Sequence, residues 1–333
     1  MKTSLVHSIV RGLLALILLG FGGCGGGSGS DFAGGGIGGT GVSVGAVTAI
    51  GSIVVNEVRF DTTDADVVIG GNPMGLGDQA VRDHLRVGMV VVVDGTVDTD
   101  EVTGTASAVY FDADVLGPVE SIDSGAGQIV VLGQVVVIDG GTVLDGYASF
   151  GDINPGDWVE VSGLVSLVSG EDAIRATYLQ KKLSITDAEV KGVVHDLDSL
   201  ARTFKIRNLT VRYDDTTELP DGEPAERLHV RVVGTVGQGG ELDATRVELA
   251  REARVANAER MDIEGYVFEV VSPSEFSVGY QQVRTDEKTK FHGGGPANIT
   301  PGVKLEVKGK LENHVLTARK ITFRGPESPG SKT

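Results

Sequence analysis

The sequence predicts an all-β protein: a tandem array of four small five-stranded barrels behind a flexible glycine-rich linker. Three observations carry this prediction. An alternating apolar phrase closed by a glycine recurs at Arg86–Gly95, Asn154–Gly163, in shortened form at Arg227–Gly234, and at Ile299–Gly309. The closing glycines lie 68, 71 and 75 residues apart. A second set in apolar settings, Gly45, Gly117, Gly192 and Gly265, is spaced by 72, 75 and 73 residues. Two independent markers with one period of that size indicate repeated small domains.

Residues 1–24 read as a targeting segment and stand outside the fold. Lys2 and Arg11 supply the positive charge, and Leu13–Leu19 is an apolar run too short to span a bilayer of roughly 30 Å. Gly20–Cys24 resembles a bacterial lipobox, with Phe21 where that motif usually has Leu, and Cys24 is the only cysteine in 333 residues. Cys24 is therefore the expected lipid-attachment site, an ordinary secretory signal with a chance cysteine being the alternative. A single cysteine leaves no disulfide, so the barrels must be stable through their cores alone. Residues 25–42 form a Gly/Ser-rich tether. Within it Gly36–Gly41 fits G-x-G-x-x-G, but no strand precedes it and no helix follows, so a dinucleotide cofactor is not expected.

The repeats are expected at 43–112, 113–183, 188–250 and 260–324, with a disordered tail at 325–333. Each opens on a strand containing one of the second set of glycines, where a bulge or sharp bend is expected. A hairpin follows, most clearly at Phe204–Tyr213, where Phe204, Ile206, Val211 and Tyr213 alternate with Lys205, Arg207 and Arg212. An Asp ends the third strand (Asp61, Asp139, Asp214, Asp286), and in the last three copies Thr142, Thr217 or Thr289 follows to hold a turn. The glycine phrase is the fourth strand, and an Ala-centred segment such as Leu242–Val247 or Leu316–Ile321 is the fifth. Five strands in about 70 residues, with the longest connection between the third and fourth, suggest a small barrel of OB type. A seven- or eight-stranded sandwich is the alternative. Copy one carries an insertion, Pro73–Leu85, whose second half has helical character, and Glu248–Arg260 has helix-forming composition.

The glycine phrase, the Asp-x-x-Thr turn, the closing Leu-x-Ala strand and the lead-in Gly36–Gly41 resemble tandem copies of a bacterial domain of unknown function, family 5666. The resemblance covers about residues 36–324. It implies OB-like barrels in a bacterial lipoprotein and supplies no catalytic residues.

Removing residues 1–24 takes the net charge from −17 to −19. Residues 31–182 hold 22 acids against 6 bases, whereas 183–333 are nearly balanced. An acidic first half with 5% aromatics does not suit nucleic acid, which needs a basic groove interleaved with stacking rings. Lys205, Arg207, Arg212, Lys304, Lys308 and Lys310 alternate on strands and read as solvated faces, and His229 reads as solvent-facing. Asp61, Asp64 and Asp66 place oxygens in one loop without EF-hand spacing, leaving a weak calcium site as an option. Trp158, the only tryptophan, is a core or barrel-mouth ring, or a carbohydrate platform. Neither a His pair with metal-ligand spacing nor a G-x-S-x-G elbow is present.

The expected protein is therefore a non-catalytic, lipid-anchored envelope protein without a cofactor, acting as an interaction or spacer module for an unknown envelope protein or glycan. It is expected outside the cytoplasm, on the outer membrane, because Gly25 replaces the Asp that resembles an inner-membrane retention signal. The alternative is a ligand-binding lipoprotein for oligosaccharide or calcium, using a barrel face or inter-repeat groove. A spacer predicts no deep pocket, a binder predicts one concavity near Trp158 or the copy-one acids, and an enzyme predicts titratable residues converging in one cleft. Replacing Cys24 by Ala is expected to move the chain from the membrane to the soluble fraction and to abolish palmitate labelling in cells.

Overall fold

The computed structural model describes residues 41–183, 185 and 187–325. Cys24, the targeting segment, the tether up to residue 40 and the tail beyond 325 lie outside the described residues.

In the first copy, β1 (Gly41–Ala49), β2 (Ile53–Val55) and β3 (Val58–Asp61) form an antiparallel meander. The insertion forms the hairpin β4 (Asp66–Ile69) and β5 (Asn72–Leu76) and the helix α1 (Gly77–His84). Then β6 (Val90–Val97) and β7 (Thr103–Phe111) complete the copy. β7 lies parallel to β3 and antiparallel to β6, and β6 returns to β1. The circuit β1-β2-β3-β7-β6-β1 is therefore closed, as in an OB-type barrel rather than a sandwich.

The same circuit recurs three more times. The second copy comprises β8 (Val115–Asp123), β9 (Gln128–Val131), β10 (Gln134–Val137), β11 (Val143–Asp145), β12 (Trp158–Val168) and β13 (Glu171–Lys182). The third has β14 (Ala188–Asp198), β15 (Thr203–Ile206), β16 (Leu209–Arg212), β17 (His229–Val236) and β18 (Leu242–Leu249). The fourth has β19 (Ala258–Ser272), β20 (Glu275–Val278), β21 (Gln281–Arg284), β22 (Lys290–His292), β23 (Lys304–Glu312) and β24 (Val315–Arg324). Each closes by the parallel pairing of its third and fifth strands, β10–β13, β16–β18 and β21–β24. The helix-like segment after β18 is one 3-10 turn, Arg251–Arg254.

Both sets of repeated glycines permit close approach. A Cβ on Gly117, Gly192 or Gly265 would fall 2.5, 2.5 or 2.8 Å from the side chain of Leu132, Ile206 or Val278, which crosses over the first strand. At the closing glycines, the pairing of the fourth and fifth strands shifts register in all four copies. There a Cβ on Gly95, Gly163, Gly234 or Gly309 would collide with the carbonyl oxygen of Thr105, Arg175, Asp243 or Thr317. The turn threonines do more than hold a turn. Thr142, Thr217 and Thr289 donate through Oγ1 to the carbonyls of Ala176, Ala244 and Ala318, at 2.7, 2.9 and 2.7 Å, and so clip the third strand to the fifth.

The barrels are not a string of separate beads. β1 pairs parallel with β19, joining copies one and four in one sheet, and β8 pairs antiparallel with β14, joining copies two and three. Cores merge accordingly. The interiors of copies two and three form one apolar cluster, while Val42, Val44, Val90 and Val92 of copy one pack with copy four. Leu164 and Tyr178 of copy two enter the clusters of copies four and one. The unbroken run Met89–Val93 is buried throughout, because one face fills its own barrel and the other fills the neighbour's surface. Replacing Gly309 by Ala is expected to lower the unfolding free energy by about 1–3 kcal/mol through overpacking, measured by urea denaturation.

Candidate functional site

The four barrels meet around a cavity of about 420 Å³. Copy one contributes Val44 and Val90, copy two Gly163 to Val165, copy three Lys191 and His229, and copy four Met261, Ile263, Val278 and Tyr280. Its walls are mainly aliphatic, and its volume lies within the range of small-molecule sites. Arg227, Leu228, Gln282 and His314 are exposed at its rim.

Local structure places the polar residues. Lys191 lies on β14, directly opposite Arg231 of β17, on the face turned away from the third barrel's interior. Asp114 immediately precedes β8, and its backbone carbonyl accepts the Lys191 N–H at 2.9 Å. The 3-10 turn after β18 brings Glu252 over the same ammonium. Lys191 Nζ thus lies 3.1 Å from Glu252 Oε1 and 3.3 Å from Asp114 Oδ1. Asp114 Oδ2 also accepts the Gly163 N–H at 2.8 Å. Tyr280 sits in the β20–β21 turn, its ring edge-on to His229 at 4.7 Å and to Phe268 at 5.6 Å. Its hydroxyl accepts from Arg207 at 2.7 Å.

Burial works against the Lys191 cation, but Asp114, Glu252 and Asp112 outweigh it and hold the ammonium above its ordinary value. For Glu252 burial opposes the anion, and Lys191 more than offsets it, pushing the carboxyl down to about 2. Burial pushes the His229 imidazole down to about 4, against the pull of Glu252. Behind this group, Arg231 donates to both oxygens of Glu189, at 2.7 and 2.6 Å, and to Glu248 at 2.8 Å. A second buried group joins Lys308 to Asp262 at 3.0 Å and to Glu306 at 2.9 Å, with Arg324 on Glu306. Burial, reinforced by Glu306, raises Asp262 to about 7.

Chemically, the cavity holds a protonated lysine, an ionised glutamate and a neutral imidazole at neutral pH. None of these groups is poised to exchange a proton near pH 7. Its described lining contains no Ser, Thr or Cys to act as a nucleophile. Among the described residues no cluster of three or more His, Cys, Asp or Glu is placed to hold a metal ion.

The residues expected from sequence lie elsewhere. Asp61 accepts from the backbone and hydroxyl of Thr63, at 2.9 and 2.7 Å, while Asp64 and Asp66 are exposed. Trp158 is half-buried, at the edge of the core shared by copies two and three. None of the four lines the cavity. His229 does line it, where solvent exposure was expected, and Lys308 is buried in an ion cluster, where a solvated face was expected. Both alternate with apolar neighbours, a pattern that does not distinguish water from another barrel.

The chain belongs to a family described as "Domain of unknown function (DUF5666)", which matches residues 117–178, 191–248 and 264–322, more than half of the chain. These segments fall on the second, third and fourth barrels; the first has the same circuit outside the matched residues. No curated protein matches the chain. One solved structure, drosophila Unr CSD456, aligns at 15% identity over 65% of this chain and 98% of that chain, with a TM-score of 0.16, too low to bear on fold or function.

Replacing Lys191 by Met, which leaves Asp114 buried and unpaired, is expected to cost about 3–5 kcal/mol in a denaturation experiment. The two shifted acid–base groups act in opposite senses. Asp262 in the folded chain keeps a proton between its ordinary 3.8 and about 7, so its contribution to stability falls as pH rises through that window. His229 refuses a proton between its ordinary 6.5 and about 4, so its contribution falls as pH falls through that window. Melting temperatures measured from pH 4 to 7 should therefore tilt in opposite directions in the Asp262→Asn and His229→Gln variants.

Proposed function

We propose that the chain is a non-catalytic, lipid-anchored envelope protein that binds a small, mainly apolar molecule where its four barrels meet. The observation that carries this reading is the cavity itself, an aliphatic space to which every copy contributes. A spacer would have no need of it. Apolar atoms make up most of the exposed wall, through Val, Leu, Ile and Met side chains, which favours an apolar ligand body over an oligosaccharide.

Titratable residues do converge here, the arrangement named above for an enzyme. The directions of their shifts separate the two readings. A catalytic lysine is held below its ordinary value and a catalytic carboxyl above, each near the working pH. Lys191 and Glu252 are displaced the other way and stabilise one another's charge. Burial does raise the Asp114 carboxyl, but its two oxygens are engaged by Lys191 and the Gly163 N–H. That supports a fixed polar wall rather than a reactive one.

The test uses N-phenyl-1-naphthylamine, a neutral apolar fluorophore. Its emission should rise saturably with one site per chain. Ala253→Trp, which projects an indole into the cavity from the Arg251–Arg254 turn, should abolish that rise while leaving the far-ultraviolet spectrum unchanged. Unchanged binding in this variant would refute the cavity reading.

A further inference from the structure

At the polar end of the cavity Lys191 is shared by two carboxylates, Asp114 and Glu252. Burial raises the Asp114 carboxyl, whereas Glu252 is held ionised beside the ammonium. Behind them Arg231 pairs with Glu189 and Glu248, and Glu248 is shared in turn with Arg246 and Arg254. The fixed anion at this end of the cavity is therefore Glu252.

Two further features point the same way. Glu252 uses Oε1 for Lys191, while its Oε2 is buried without a hydrogen-bond partner among the described residues. A buried carboxylate oxygen left without a donor is costly, and a ligand that brings a donor there removes that penalty. The rings of His229 and Tyr280 also line the cavity, edge to face at 4.7 Å, with Arg207 on the Tyr280 hydroxyl. Aromatic faces attract cations and give nothing to anions. The base at the rim, Arg227, is solvent-exposed, where water and salt screen it.

Resting on the cavity reading above, we infer that the ligand is a cationic amphiphile, its apolar chain against the aliphatic walls and its ammonium head beside Glu252. An anionic amphiphile of the same length meets the same walls but must bring a carboxylate next to Glu252. Discrimination thus comes from repulsion as well as attraction.

Calorimetry on the full chain at pH 7 with decylamine, decanol and decanoate as probes tests this. Decylamine should bind about tenfold or more tighter than decanol, and decanoate weakest of the three. Glu252→Gln should bring decylamine to within about threefold of decanol. Decanoate binding as well as decylamine, or an amine preference that survives Glu252→Gln, would overturn the head-group inference and leave the cavity reading standing. Failure of all three probes to bind would overturn both. If Glu252→Gln melts below the assay temperature, the comparison of the three probes on the unmodified chain decides alone.

Discussion

The first half of each barrel's opening strand has a hydrogen-bonding edge that its own barrel leaves unused. β1 pairs with β6 on one side from Gly41 to Ala46, and only from Val47 does β2 cover the other. The free stretch, Gly41–Val44, is taken by Arg260–Ile263 of β19, whose own barrel leaves the same stretch open. β8 and β14 solve the same problem antiparallel, through Val115–Leu116 and Glu189–Val190. Unpaired backbone groups at a sheet edge invite association, and here the partner is another copy in the same chain. That constraint converts a tandem array into two fused pairs of barrels, and the meeting of the pairs creates the cavity.

The same constraint explains the buried ions. Side chains on the opening and fourth strands alternate between the barrel interior and its outer face. Once a neighbour docks on that outer face, Glu189, Lys191, Arg231, Asp262, Glu306 and Lys308 lose water and must find one another. Such pairs are weak sources of net stability, since desolvation offsets most of the attraction. Most of them are satisfied within one barrel: Arg231 pairs with Glu189 across β14 and β17, and Lys308 with Asp262 across β19 and β23. Lys191 reaches across to Asp114 of the neighbouring copy, while the valines supply the burial.

Much of the barrel was legible in the chain because its signals are local. A glycine that must admit a neighbouring backbone, a threonine that must reach an alanine carbonyl and a period of two in Phe204–Tyr213 all act within one copy. The docking was not legible in the same way, because period-two polarity reports which face is polar and not what lies against it. Lys205 and Lys308 have the same pattern; the first is exposed beside Asp196, the second buried on Asp262. One signal did distinguish them in principle. Val90–Val93 has no alternation, and a strand apolar on both faces must be covered on both. The candidate site was illegible for a related reason: Lys191, Glu252 and His229 come from separate elements, and no spacing rule connects them.

On the proposed reading, function attaches to the assembly rather than to the domain. A single copy can hold a complete ion cluster, as copy four does with Asp262, Glu306, Lys308 and Arg324, but it contributes only a few side chains to the cavity. A molecule bound between the four barrels contacts every copy at once, so it binds the docked state and not the separated one. By linkage its free energy adds to the docking free energy, as RT ln(1 + [L]/Kd). Occupancy would then add to the coupling that the shared sheets and merged cores already give the two fused pairs.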